Sequence, residues 1–167
     1  MKRGFVYLFL ACMSIGLAFA QDSSCSAIFF DKYNNQKLGT KGVDFAIEII
    51  DNDSITSLYQ VKADTLYVLF YDPYCEHCHK EIKKLKRDKH LNKAIKEKTI
   101  AVLTIPPDIS REEWLENVKK MPKQWLNAWS KDADILIKKY LWKVPELFVF
   151  DKDKTICKIE MYREEKE

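Results

Sequence analysis

The chain has 167 residues, 47% hydrophobic and 32% charged, with a formal net charge of +3. That is room for one domain with a real core. Without Lys2 and Arg3 the charge falls from +3 to +1, which excludes a global electrostatic case for nucleic-acid binding.

Met1-Lys2-Arg3 reads as a basic n-region, residues 5–19 as an apolar h-region, and Ala18-Phe19-Ala20 before Gln21 as a small-x-small cleavage pattern. Residues 1–20 are therefore expected to be a signal peptide that sends the chain across the inner membrane, into the periplasm. The apolar run is short for a membrane span, so no stable span is expected after cleavage. Lipoprotein processing at Cys12 is the weaker alternative. It would leave the apolar residues 14–20 unused and has Phe9 where Leu is usual. Export places Cys25, Cys75, Cys78 and Cys157 where disulfides persist.

Residues 21–42 are polar and turn-rich, a flexible lead-in to a domain spanning 43–167. Phe45, Ile47 and Ile49 alternate with Ala46, Glu48 and Ile50, as in a strand. A turn at 51–53 precedes a short helical turn at 54–61 that points Ile55 and Leu58 inward. Residues 66–71 form a continuous apolar run that suits a central strand covered on both faces. From Cys75 to about Lys89, Cys78, Ile82 and Leu85 share one helix face. Lys80, Lys83, Lys84, Lys86, Arg87 and Lys89 crowd the rest, read as a solvated surface, with docking of acidic partners as the sharper alternative. Leu91, Ala94 and Ile95 continue or restart the helix.

Residues 99–105 read as a second buried strand, ended by Pro106-Pro107. Asp108 or Ser110 caps the next helix, with Glu112 and Glu113 in its first turn and Trp114, Leu115 and Val118 as its apolar stripe. Met121-Pro122 breaks it. Trp125, Leu126 and Trp129 follow at helical or turn spacing, with both tryptophans assigned to the core. Ile135, Leu136 and Tyr140 mark another helix. Residues 147–150 form a strand, 151–154 a hairpin turn and 155–161 its partner.

One stretch organises these elements: Tyr71-Asp72-Pro73-Tyr74-Cys75-Glu76-His77-Cys78-His79-Lys80-Glu81. Two cysteines two residues apart at a strand-to-helix junction form a redox motif. Cys75 at the N-cap would sit near free backbone N–H groups and the positive end of the helix dipole, which favours the nucleophilic thiolate. Cys78, one turn in, is placed to resolve a mixed disulfide. A protonated His77 would stabilise the Cys75 thiolate, and Glu76 would oppose it. The rival reading is a metal-binding chaperone using Cys75, Cys78 and nearby His77 or His79. Tetrahedral zinc asks for four converging ligands, and no second Cys-x-x-Cys or His-x-x-x-His follows.

The motif and the strand–helix–strand–helix–hairpin order resemble the thioredoxin superfamily, nearest to its secreted ResA/TlpA-type thiol-disulfide oxidoreductases, over roughly residues 44–161. The resemblance implies an α/β fold: a three-layer α/β/α sandwich around a central mixed sheet with an added N-terminal strand. It implies exchange of the Cys75/Cys78 dithiol with protein substrates, as a reductase recharged by an upstream electron-donor dithiol protein. No diffusible cofactor is needed and a monomer is expected. In this family Glu81 would lie beside the disulfide and assist proton transfer. Val144-Pro145 would be a cis pair opposite the cysteines that holds an extended substrate. Tyr74 takes the place usually held by Trp, and Glu146 departs from the small residue usual after the proline. Cys157 is expected to share a buried face with Ile159 and Met161, with a Cys25–Cys157 disulfide as the alternative.

Overall fold

The computed structural model describes residues 36–50, 52 and 54–161. The expected signal peptide, the alternative of lipid processing at Cys12, Cys25 and most of the expected lead-in lie outside them. The elements are β1 (Glu48–Ile49), β2 (Thr65–Phe70), α1 (Glu76–Arg87), α2 (Lys89–Lys96), β3 (Ile100–Ile105), α3 (Arg111–Asn117), β4 (Leu126–Trp129), α4 (Ala133–Lys139), β5 (Glu146–Asp151) and β6 (Ile156–Met161). The strands form one sheet in the order β1-β4-β3-β2-β5-β6. β2, β3 and β4 run parallel, and β1, β5 and β6 are antiparallel to their neighbours. The fold is thus an α/β sandwich on a mixed sheet, with the added N-terminal strand at one edge. No helix among the described residues is long and apolar enough to cross a membrane.

The alternating side chains of β2 separate two cores. Leu66, Val68 and Phe70 face one layer with Phe45, Leu58, Leu136, Tyr140, Phe148 and Phe150. Leu69 and Tyr71 face the other with Cys78, Leu85, Leu91 and Trp125. In the first layer Tyr140 meets Phe148 edge-on at 5.2 Å, and Phe70 meets Phe148 at 5.9 Å. Each buried ring contributes about 1.5–3 kcal/mol by leaving water. Together they fix the end of β2, where the cysteine motif begins.

Helix boundaries follow local chemistry. Cys75 caps α1 by accepting the Cys78 N–H. Asp88 ends α1 and caps α2 through His90 and Leu91, so the second segment is a restart. Of the two expected caps of α3, Ser110 fills the position and accepts the Glu113 N–H.

Two expectations are corrected. Leu126 and Trp129, which follow Trp125 at helical or turn spacing, lie in strand β4. Pairing with β3 and β1 overrides the local spacing, and Asn127 locks the strand: it accepts the Thr104 hydroxyl and donates to the carbonyls of Pro122 and Trp125. Four residues are too few to display alternation in the sequence. Cys157 is an exposed free thiol rather than a buried one. Val149 pairs with Lys158 but Phe150 pairs with Ile156, so Cys157 is the extra residue of a bulge that turns it outward.

Residues 36–42, part of the expected lead-in, run along this hairpin. Gly39 and Gly42 donate to the carbonyls of Ile156 and Lys154. Gly42 passes so close to the core that a Cβ there would lie 2.6 Å from the Phe150 ring.

Candidate functional site

β2 runs out at Phe70, and Tyr71 still donates its N–H to Ile105 across the sheet. The chain then turns. Asp72 accepts the Tyr74 N–H on its carboxylate at 2.8 Å, and its carbonyl accepts the Cys75 N–H at 3.2 Å. This tight turn delivers Cys75 to the N-cap of α1 with extended backbone. Its sulfur accepts the Cys78 N–H at 3.3 Å. Cys75 is half-buried, whereas Cys78 has no exposed surface. The Cys78 sulfur accepts the Asp72 N–H at 3.3 Å.

Burial pushes the Cys78 thiol up to about 12. The Asp72 N–H pulls it down, and the neighbouring Cys75 and Asp72 charges raise it further. Tyr71 is likewise pushed up to about 12, first by burial and then by the Cys78 charge. Cys78 therefore stays protonated near neutrality, and the accessible sulfur is that of Cys75.

The structure sorts the other residues singled out in the sequence. His77 is half-buried between the cysteines. Glu76 is bound at 2.8 Å to Lys80, which holds its carboxylate below the usual range, with a smaller contribution from His77. The His79 Nε2 lies 2.7 Å from the Pro73 carbonyl oxygen. Among the described residues, no three His, Cys, Asp or Glu side chains are grouped to hold a metal ion. Glu81 accepts two hydrogen bonds from Lys84, at 3.1 and 3.3 Å. The carboxylate charge acting on Cys78 is that of Asp72, which sequence reasoning passed over. Its signal was an Asp three residues before the first cysteine, in a turn that must fold back on the helix start.

The Val144–Pro145 peptide bond is cis. Glu146 pairs with Phe70 across β2 and β5, so Pro145 stands level with the strand end that leads into the motif. Glu146 is fully buried and accepts the Trp142 N–H at 3.0 Å, so its carboxylate is directed into the protein.

Two grooves flank the turn. One, of about 390 Å³, runs between Tyr74 and Val144 and carries Asp72, Asp108 and Glu113. Tyr74 is largely exposed there, and the Glu113 carboxylate beside its hydroxyl raises its pKa. The other, of about 610 Å³, lies along α1 and is bordered by His79, Ile82, Lys83, Lys86, Arg87 and Lys120.

Solved structures are similar to the chain in fold. A thioredoxin-like protein from Bacteroides caccae is 29% identical with a TM-score of 0.71; the match covers 83% of this chain and 50% of that one, so the chain spans half its length. The C-terminal domain of an uncharacterized protein from Bacteroides fragilis is 30% identical, TM-score 0.66, with 72% of this chain and 87% of that one covered. A domain of a "possible thiol-disulfide isomerase" from Cytophaga hutchinsonii is 27% identical, TM-score 0.56, with coverage of 72% and 81%. No curated protein matches the sequence. Residues 63–156 match a family model described as thioredoxin-like. Sheet order, cysteine turn and family match agree, and the chain belongs to the thioredoxin-like family.

Proposed function

We propose that the chain is an exported, monomeric thiol-disulfide oxidoreductase of the ResA/TlpA type that reduces protein disulfides in the periplasm. The observation that carries the redox reading is the pair itself: a half-buried Cys75 sulfur at the α1 N-cap, accepting the N–H of a fully buried Cys78. Cys75, as thiolate, attacks a substrate disulfide. A Cys75–substrate disulfide forms and the substrate's other sulfur leaves as thiolate. Cys78 then gives up its proton and attacks the Cys75 sulfur, releasing the second substrate thiol and closing the Cys75–Cys78 disulfide. Two electrons have passed to the substrate, and a donor dithiol protein returns them. Tyr74 and Val144 border the groove that receives the substrate strand, and Pro145 follows Val144 through the cis bond.

His77 supports the Cys75 thiolate. Asp72 and, one turn into α1, Glu81 govern the Cys78 proton. A metal carrier has less support, since the His79 Nε2 is engaged by Pro73. The test is trapping. Cys78→Ser should accumulate a mixed disulfide between Cys75 and a disulfide-bonded protein substrate such as insulin, and Cys75→Ser should be inactive. A Cys75→Ser variant that still reduces insulin at the wild-type rate would contradict the reading.

A further inference from the structure

We propose that the larger groove is a docking site for an acidic segment of the protein that exchanges electrons with Cys75; this rests on the redox reading above. The groove has an apolar floor of Tyr71, Pro73, Ile82 and Met121. Tyr71 and Pro73 belong to the turn that presents Cys75, so the floor includes residues two and four positions before the reactive cysteine. Lys83, Lys86 and Arg87 line it from α1, and Lys120 lines it from the segment after α3, oriented by Asn117 at 3.2 Å.

The pairing of the α1 cations separates this groove from an ordinary solvated helix face. Lys80 and Lys84, which do not line it, are bound to Glu76 and Glu81. Lys83, Lys86 and Arg87, which do, have no carboxylate partner among the described residues. Four cations around an apolar floor complement a segment that carries Asp or Glu beside an apolar side chain. From His79 to Arg87 the helix rises about 12 Å, the span of about four extended residues.

The groove across the turn is lined instead by Asp72, Asp108 and Glu113. An acidic segment is attracted on one side of Tyr71 and repelled on the other, which fixes how a partner lies over Cys75.

The test uses two disulfide-bonded peptides, equal in length and apolar content, with Glu or Lys flanking the cysteine. The Glu peptide should be reduced with kcat/KM about tenfold higher at low salt, the scale of electrostatic steering. The difference should lie in KM and shrink as salt screens exposed charges. In the exposed-surface variant Lys83→Gln/Lys86→Gln/Arg87→Gln the preference should vanish, while the rate with the small, uncharged hydroxyethyl disulfide is unchanged. No preference for the Glu peptide, or a preference that survives the triple variant, overturns the docking site. Competition by dodecanoate without any peptide preference assigns the groove to a small amphiphile. Dimerisation of the wild type that the triple variant abolishes assigns it to a second copy. Either result overturns the proposal. Failure with hydroxyethyl disulfide in the wild type overturns the redox reading instead.

Discussion

Asp72 meets Cys78 in two opposed ways: its backbone N–H donates to the Cys78 sulfur at 3.3 Å, while its carboxylate charge disfavours the thiolate. Asp72→Asn keeps the backbone donor and the side-chain oxygen that accepts the Tyr74 N–H, and removes the charge. The Cys78 titration should move to lower pH, and closure of the Cys75–Cys78 disulfide should quicken near neutrality. Glu81→Gln should move that titration less, because Glu81 is paired with Lys84. Thiolate absorbance against pH reads both, and an equal shift in the two variants would remove Asp72 from its assigned place.

Burial of Cys78 also ties stability to pH in the reduced protein. A thiol whose folded pKa is raised contributes stability that is present below its unfolded pKa and is lost as pH climbs toward the folded value, here about 12. Reduced wild type should therefore lose denaturant resistance above about pH 8.5, and Cys78→Ala should lose it less steeply. Tyr71 shifts the same way, but its unfolded form ionises only near pH 10, so the difference in slope between about pH 8.5 and 10 isolates Cys78. Parallel slopes would mean that Cys78 is solvated in solution.

Asn127 is the buried clasp of β4, serving Thr104, Pro122 and Trp125 at once. Asn127→Ala leaves those groups without their partner and should lower stability by about 1–3 kcal/mol, measured by urea unfolding. Gly42→Ala should cost a similar amount, about 1–3 kcal/mol from overpacking against Phe150. A neutral effect at Gly42 would show that residues 36–42 do not hold their place along the hairpin.

The long signals were legible in the sequence. The apolar run of β2, the Cys-x-x-Cys turn and the spacing of Cys78, Ile82 and Leu85 each repeat a pattern long enough to show its period. β4 was not, because a four-residue strand shows no period and its identity comes from pairing with β3. Cys157 was misread because a bulge one residue long reverses which side faces out. The cations of α1 were visible as a run, but which of them are paired depends on their positions around the helix and on Lys120 from a distant segment. Asp72 was hidden for the same reason: its effect on Cys78 exists only once the turn folds back on α1.

On the proposed reading His77 and Glu76 pull the couple in opposite directions, and Glu76 is paired with Lys80. A screened surface charge of that kind is worth little. His77→Pro should then make the couple more reducing, and a shift toward oxidising values would reverse the ranking of the two residues.

The most direct measurement of the central claim is equilibration of the protein in glutathione buffers, with thiols counted by gel-shift alkylation in a Cys157→Ser background. The account predicts one reversible two-electron transition confined to Cys75 and Cys78, with a midpoint between the roughly −270 mV of thioredoxin and the roughly −120 mV of the strongest oxidants on this fold. A pair that never closes into a disulfide across that range would contradict it.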